Sequence, residues 1–292
     1  MSVWSLFPEK DVRFTKSQKK VVEYISDNYE EAIFLTATQL SRKAGVSEAT
    51  VARLAQLLGF DGYAGLQKAL RKNFQNRLSS FDRLEETIKH VKNEQDALVK
   101  VMQDDITNIS KTLQEIPIET FRQAIDDMKQ ATRIFVVGFM GSYAPASLLV
   151  NYLRWFKRGV QLVPSGHNNH WEMLYDINGN DLLIGITFPR YSKSTREILE
   201  FAKERGSKVG IITNSEFAEV SRYAHWVLPV RYELDAYMVS YTATVSLVNA
   251  LLTAMSVQNP EETKRALKMR EEVWADKVFL QTDIYDDEER SF

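Results

Sequence analysis

Residues Thr38 to Phe60 read TQLSRKAGVSEATVARLAQLLGF, and two glycines in this stretch decide how the surrounding chain folds. Gly45 and Gly59 each follow a short amphipathic run, where a helix must stop and the backbone takes a positive φ that glycine adopts without strain. Thr38 is placed to cap a first helix through Ala44, and Ser47 to cap a second running to about Leu58. Leu40 and Ala44 share a face of the first helix; Val51, Leu54 and Leu58 share a face of the second, with Val46 packed between. The small residues Ala44 and Ala52 let the two helices cross closely. Upstream, the stretch from Thr15 to about Tyr29 predicts another helix that adds Val21, Val22 and Ile25 to the same core.

This packing leaves Ser47, Glu48, Ala49, Thr50 and Arg53 on the outer, N-terminal face of the second helix. Two short helices joined by a glycine turn, with that face uncovered, form the unit that enters a DNA major groove. Arg53 can address guanine or phosphate, and Ser47 and Thr50 phosphate or base edges. Lys43, Lys68, Arg71 and Lys72 are candidates for backbone contacts. A plain helical bundle shares the glycine turn but not the ordered series of cap, glycine, second cap and closing Gly-Phe. Charge distribution points the same way. The chain of 292 residues has a net charge of −2, yet residues 1–80 hold 12 Lys+Arg against 8 Asp+Glu, a net of +4, and the remainder a net of −6. A basic head on an acidic body suits phosphate contact by the head.

Composition narrows the rest. There are no cysteines, which removes disulfides, thiolate metal sites and cysteine nucleophiles and fits a reducing, cytoplasmic setting. No run of about 18 apolar residues predicts a membrane span, and MSVWSLFPEK lacks the layout of a signal peptide.

Beyond a helical, charged stretch over 81–119, in which Ile106, Ile109 and Leu113 recur at helical spacing, the pattern changes. Short β-branched runs at Arg133–Gly138, Val160–Val163, Leu182–Thr187, Lys208–Thr213 and Trp226–Pro229 alternate with helical segments at Ser142–Lys157, His170–Asp176, Ser194–Arg205 and Glu216–Tyr223; a longer helix over Ser240–Met255 follows. Right-handed crossovers then give a five-stranded parallel sheet of flavodoxin-like order 2-1-3-4-5, with a ligand site where the order reverses. Two loops meet there, Gly138-Phe-Met-Gly-Ser142 and Thr187-Phe-Pro-Arg-Tyr-Ser-Lys-Ser-Thr195, each leading into a helix N-terminus that favours an anion. Gly141 supplies close backbone approach; Ser142, Thr187, Ser192, Ser194 and Thr195 supply hydroxyls; Arg190 and Lys193 supply charge. The predicted division is a helix-turn-helix domain over 1–80, a helical linker over 81–119, the α/β domain over 120–256 and a C-terminal helix with an acidic tail over 257–292.

FTKSQKKVVEYI, TATQLSRKAGVSEATVARLAQLLGF and DGYAGLQKAL, within residues 14–75, resemble the N-terminal domain of the RpiR family of transcriptional regulators. That family's usual second part is a SIS (sugar isomerase) domain, and residues 120–256 are similar to one. The resemblance implies a regulator whose α/β SIS domain, a flavodoxin-like five-stranded parallel sheet preceded by an all-α helix-turn-helix domain, senses a small anionic metabolite such as a phosphorylated sugar or sugar acid. It departs from the SIS pattern in two places. In GFMGS one position is inserted between the two glycines, so the second comes one place later than in Gly-x-Gly-x-Ser. Where Ser-x-Ser-Gly-x-Thr is usual, this chain has Thr187 to Ser192, with Pro189-Arg190 replacing the central Ser-Gly. Proline removes a donor, while Arg190 offers a bidentate fork to phosphate or carboxylate.

SIS domains also occur in phosphosugar isomerases, which need a general base beside the substrate carbon. His90, His167, His170 and His225 are the histidines, with Glu172, Glu233 and Asp235 as further candidates. His167 and His170 are too few for a metal site and better suit a pocket lining or subunit contact. The reading adopted is a sensor without catalysis, metal or cofactor, with a DNA operator and an anionic metabolite as partners. Pairing of SIS domains as a homodimer or homotetramer, through the helix at 240–255 and the stretch 261–280, would set the spacing of two reading heads on a palindromic site.

Overall fold

The computed structural model describes residues 14–77, 80–165, 169–216, 218–232, 236–258 and 260–277. Its first part is helical: α1 (Lys16–Asp27), α2 (Tyr29–Ala32), α3 (Ala37–Lys43), α4 (Glu48–Leu57) and α5 (Tyr63–Arg77). Thr15 caps α1 by a capping box with Gln18. Ser47 caps α4 by accepting from the Thr50 N–H. The cap of α3 is Thr36, not Thr38. Thr36 has Gln39 three residues on, so side chain and backbone exchange hydrogen bonds in both directions. Thr38 has no such partner and lies inside the helix, where its carbonyl accepts from Ser41.

Gly45 and Gly59 sit at φ +63° and +87°. After α3 the Val46 N–H donates to Ser41 O and the Gly45 N–H to Arg42 O; after α4 Phe60 donates to Ala55 O and Gly59 to Gln56 O. These paired bonds satisfy the last carbonyls of each helix and fix where the chain leaves it. Val21, Val22, Ile25, Leu40, Val51, Leu54, Leu66 and Leu70 are buried together, and Ala44, Val46 and Leu58 pack against them.

Next come α6 (Ser80–His90), α7 (Glu94–Glu115) and α8 (Ile118–Gln130). The apolar recurrence on α7 does not mark its buried side. Ile106 and Leu113 are exposed, only Ile109 packs on the core, and the buried residues are Asn108 and Thr112. The helix is held instead by polar bonds. Thr112 Oγ1 accepts from the Arg231 N–H at 2.9 Å, Glu115 takes both arms of Arg231, and Asp105 accepts from Ser240 and Thr242.

The remaining chain forms β1 (Ile134–Val137), α9 (Tyr143–Leu153), β2 (Val160–Leu162), α10 (Asn169–Leu174), β3 (Leu182–Ile186), α11 (Lys193–Glu204), β4 (Lys208–Thr213), β5 (Trp226–Pro229), α12 (Thr242–Gln258) and α13 (Pro260–Lys277). The five strands are parallel in the order β2-β1-β3-β4-β5, as the sequence predicts. Every residue of β1 and β3 is buried, as a sheet covered on both faces requires. One face carries α8, α9 and α12 against Ile134, Val136, Leu182, Ile184 and Ile212. The other carries α10 and α11 against Phe135, Val137, Leu183, Val209 and Ile211. The segment before β5 is a 3-10 turn over Glu219–Tyr223 rather than the α-helix predicted, too short to sustain i→i+4 bonding. At the amino ends of the strands Arg133 joins Asp181 at 2.7 Å and Asp176 at 2.8 Å. Both carboxylates hold its guanidinium firmly charged, its pKa pushed up by those hydrogen bonds.

Candidate nucleic-acid interface and effector pocket

Gly45 turns the chain so that α4 crosses α3 with its N-terminal face outward. Ser47, Glu48, Ala49 and Arg53 are exposed and Thr50 is half-buried. Ser47 and Thr50 share a hydroxyl–hydroxyl bond of 3.0 Å, and the Arg53 Nε–H donates to Ala49 O at 3.1 Å. That bond turns the side chain back toward the N-terminus of the helix, where a phosphate would also meet the positive end of the helix dipole.

The accessory cations divide. Lys68 is exposed on α5. Lys43 forms an ion pair with Glu31 at 3.1 Å, so reaching a phosphate means exchanging that partner. Arg71 is committed to the fold. Its Nε–H donates to Ile33 O at 2.8 Å and its guanidinium lies over the Phe34 ring. With Tyr63 and Gln67, which donate to Leu35 O, it satisfies the carbonyls of the α2–α3 connection. The side chain of Lys72 lies outside the described residues.

In the second domain the two predicted loops occupy the carboxyl ends of β1 and β3, on either side of the order reversal. Each contains a non-glycine residue at positive φ, Met140 at +54° and Arg190 at +68°, and these are the only two among the described residues. The first loop is tighter than expected. Met140–Ser142 make a 3-10 turn before α9, and the buried Ser142 makes no side-chain capping bond. Gly138 is required there, since a Cβ would lie 2.5 Å from Ser142 O. In the second loop Ser192 caps α11, accepting from Thr195 N–H at 3.5 Å. Thr187 and Thr195 are buried, and the Thr195 hydroxyl has no hydrogen-bond partner among the described residues. Arg190 is exposed, as is Lys193, whose ammonium stands 3.7 Å from Glu197.

Tyr241 brings the loops together. A Cβ on Gly141 would lie 2.5 Å from its hydroxyl, and its ring meets Phe188 edge-on at 5.7 Å. Phe188 also meets Tyr232 at 5.2 Å. Neither tyrosine is singled out by the sequence reading, since nothing local marks a residue just before a distant helix as the wall of a loop. Tyr191 adds a bond to Asn214 at 2.8 Å, tying the second loop to the end of β4.

The histidines are dispersed. His170 is buried against Phe139 and Trp171, His225 Nδ1 accepts from Val209 N–H at 2.9 Å, His90 and Glu172 are exposed, and His167, Glu233 and Asp235 lie outside the described residues. Among the described residues no three His, Asp or Glu gather as metal ligands, and no helix is long and apolar enough to cross a membrane.

An outward-facing helix-turn-helix joined to a doubly covered parallel sheet with a loop site at its reversal is the architecture of a transcription regulator with a second, α/β domain. Comparison with known proteins agrees. The helix-turn-helix domain of the rpiR family matches residues 2–77 and the SIS domain residues 127–254, the two parts of an RpiR-type transcriptional regulator. An uncharacterised HTH-type transcriptional regulator of Clostridium perfringens is 24% identical over 239 residues, 80% of this chain and 79% of its own length. The sugar isomerase domain of an RpiR transcription factor from Sphaerobacter thermophilus superposes with a TM-score of 0.58 at 27% identity, covering 60% of this chain and 97% of that one. The Vibrio vulnificus NanR protein, solved in complex with ManNAc-6P, gives a TM-score of 0.57 at 20% identity over 90% of this chain and 94% of its own.

Proposed function

We propose that the SIS domain holds a small anionic metabolite, a phosphorylated sugar or sugar acid, between the loops 138–142 and 187–195, and that Ser47, Glu48, Thr50 and Arg53, with Lys43, form the DNA-reading surface. The observation that carries the pocket is its pair of left-handed residues. Met140 and Arg190 each hold a backbone conformation that costs a non-glycine side chain roughly 1 kcal/mol or more, one in each of two loops that meet through Tyr241. Strain concentrated at one switch point, with the Thr195 hydroxyl buried and unpartnered among the described residues, is what a preformed ligand site shows. Gly141 lets the backbone approach; Ser142, Thr187 and Ser192 offer hydroxyls; Arg190 offers a guanidinium fork in place of the Ser-Gly found in related sites. The phosphosugar held by NanR fits the same chemistry.

SIS domains pair into a homodimer or homotetramer, and a ligand that binds two geometries of the pair unequally changes operator affinity by that difference. The test is thermal unfolding of the full chain with sugar phosphates, sugar acids and the matching neutral sugars. Charged members of the panel raise the midpoint, and Arg190→Gln removes most of the rise. Stabilisation by neutral sugars alone overturns the anionic reading.

A further inference from the structure

α6 and α7, which lie between the reading head and the sheet in the chain, are built inside out. At about 100° per residue, Asp105, Asn108 and Thr112 fall on one side of α7, the side turned to the sheet domain. The apolar residues fall on the neighbouring side. Leu98, Val99, Met102, Ile106 and Leu113 are all exposed, Ile106 at 63% and Leu113 at 79%. α6 repeats the arrangement: Arg83 and Thr87 are half-buried, while Phe81, Leu84 and Ile88 are exposed. Of the 19 large apolar side chains that the described residues expose, eight lie on these two helices of 11 and 22 residues. An amphipathic helix ordinarily buries its apolar stripe. Here the polar sides make the contacts within the chain, and the apolar sides are left over.

The spacing of these residues identifies what fits them. Val99, Met102, Ile106, Ile109 and Leu113 recur at three and four residues in strict alternation, as do Phe81, Leu84 and Ile88. That alternation is the pattern by which one helix packs along another. The open border of the α7 stripe is Gln103, Ser110 and Gln114, exposed and uncharged, so an identical helix brought against it meets no like charge there. The area is also sufficient. Burying one large apolar side chain removes about 60–120 Å² of surface, its 1.5–3 kcal/mol taken at 25 cal/mol per Å². Eight of them amount to roughly 500–1,000 Å² from each copy, against about 800 Å² per partner in a stable interface.

We propose that α6 and α7 pack against the same two helices of a second copy of this chain, with Phe81, Ile88, Met102 and Ile106 in the interface. A copy carries the same two stripes, so one two-fold contact covers both. α6 begins at Ser80, three residues after α5 ends at Arg77. The contact therefore holds two reading heads at a set separation, as paired half-sites on DNA require. It is distinct from a pairing of SIS domains and does not draw on the effector pocket. Either contact alone makes a dimer, and the two together make a tetramer.

The test is the mass of the full chain in solution, measured by sedimentation over a dilution series, with far-ultraviolet circular dichroism to follow the fold. The wild type sediments as a dimer or tetramer. Ile88→Glu and Ile106→Glu each halve the mass at concentrations where the wild type stays assembled, weakening association about tenfold or more. Ile106→Leu does not, nor does Lys111→Glu, an exposed position on the far side of α7. Glutamate is a strong helix former and both isoleucines are exposed in the single chain, so the spectrum is unchanged. Wild-type mass retained by either glutamate variant overturns the proposal and leaves SIS pairing standing, whereas a wild type that is monomeric at every concentration overturns both. An equal loss of mass in Lys111→Glu would assign the effect to charge alone. Loss of the folded spectrum in the glutamate variants would show these side chains packed within one chain, and either result overturns the proposal as well.

Discussion

Arg53 and Thr195 make opposite predictions, because one side chain is exposed and the other buried. Arg53 contributes to the fold only through an exposed bond to its own helix, and losing that costs little. Arg53→Ala is therefore expected to leave the unfolding midpoint nearly unchanged. It should weaken binding to an operator fragment by about 1–3 kcal/mol, the worth of a guanidinium contact with a base. Fluorescence anisotropy reads the loss, and an unchanged affinity would remove α4 from the groove. Thr195 is buried with its hydroxyl unpartnered among the described residues, so the near-isosteric Thr195→Val removes a polar group that none of them satisfies. The empty protein should be as stable or up to about 1 kcal/mol more stable, while effector-induced stabilisation drops. A variant less stable when empty and equally responsive to ligand would give this hydroxyl a purely structural part.

At the level of single elements, the glycines carry the sharpest expectation. Gly45 has open space around a would-be Cβ, so Gly45→Ala meets no steric block, only the penalty of φ +63°. The expected cost is about 1 kcal/mol, from forcing a side chain into the left-handed region, visible in the chemical-denaturation midpoint of the full chain. The elements themselves were largely legible. The cap at Ser47, the stops at Gly45 and Gly59 and all five strands follow from local rules of capping and patterning. Thr36 was missed because Thr38 is the same residue type two positions on, and only the Gln39 partner separates them. The buried side of α7 was illegible for a different reason. Hydrophobic spacing predicts which side of a helix is buried only when apolar contact does the docking, and here Asn108, Thr112 and Asp105 do it. Ser142, Thr187 and Ser192 could be picked out from helix starts, whereas Tyr241 and Phe188 join the site through a contact spanning about fifty residues, which no local pattern encodes.

At the scale of the whole molecule, two well-packed bodies, the helical head and the covered sheet, are each stabilised by their own buried apolar cluster. The helices joining them are not. α7 turns Leu98, Met102, Ile106 and Leu113 to solvent. The bidentate Arg231–Glu115 pair and the hydroxyl bonds to Asp105 and Thr112 fasten its inner side. A fastening of this kind exchanges readily with water and mobile ions, unlike an oily seam. Added salt should therefore speed deuterium uptake along 94–115 well before it disturbs uptake in β1 or β3. Equal acceleration in strand and helix would contradict that separation. Freeing α7 would uncover little hydrocarbon, so the step carries a small heat-capacity change and its equilibrium drifts only slightly as the surroundings warm or cool. A thermometer would hardly register such a joint; a change of electrolyte would.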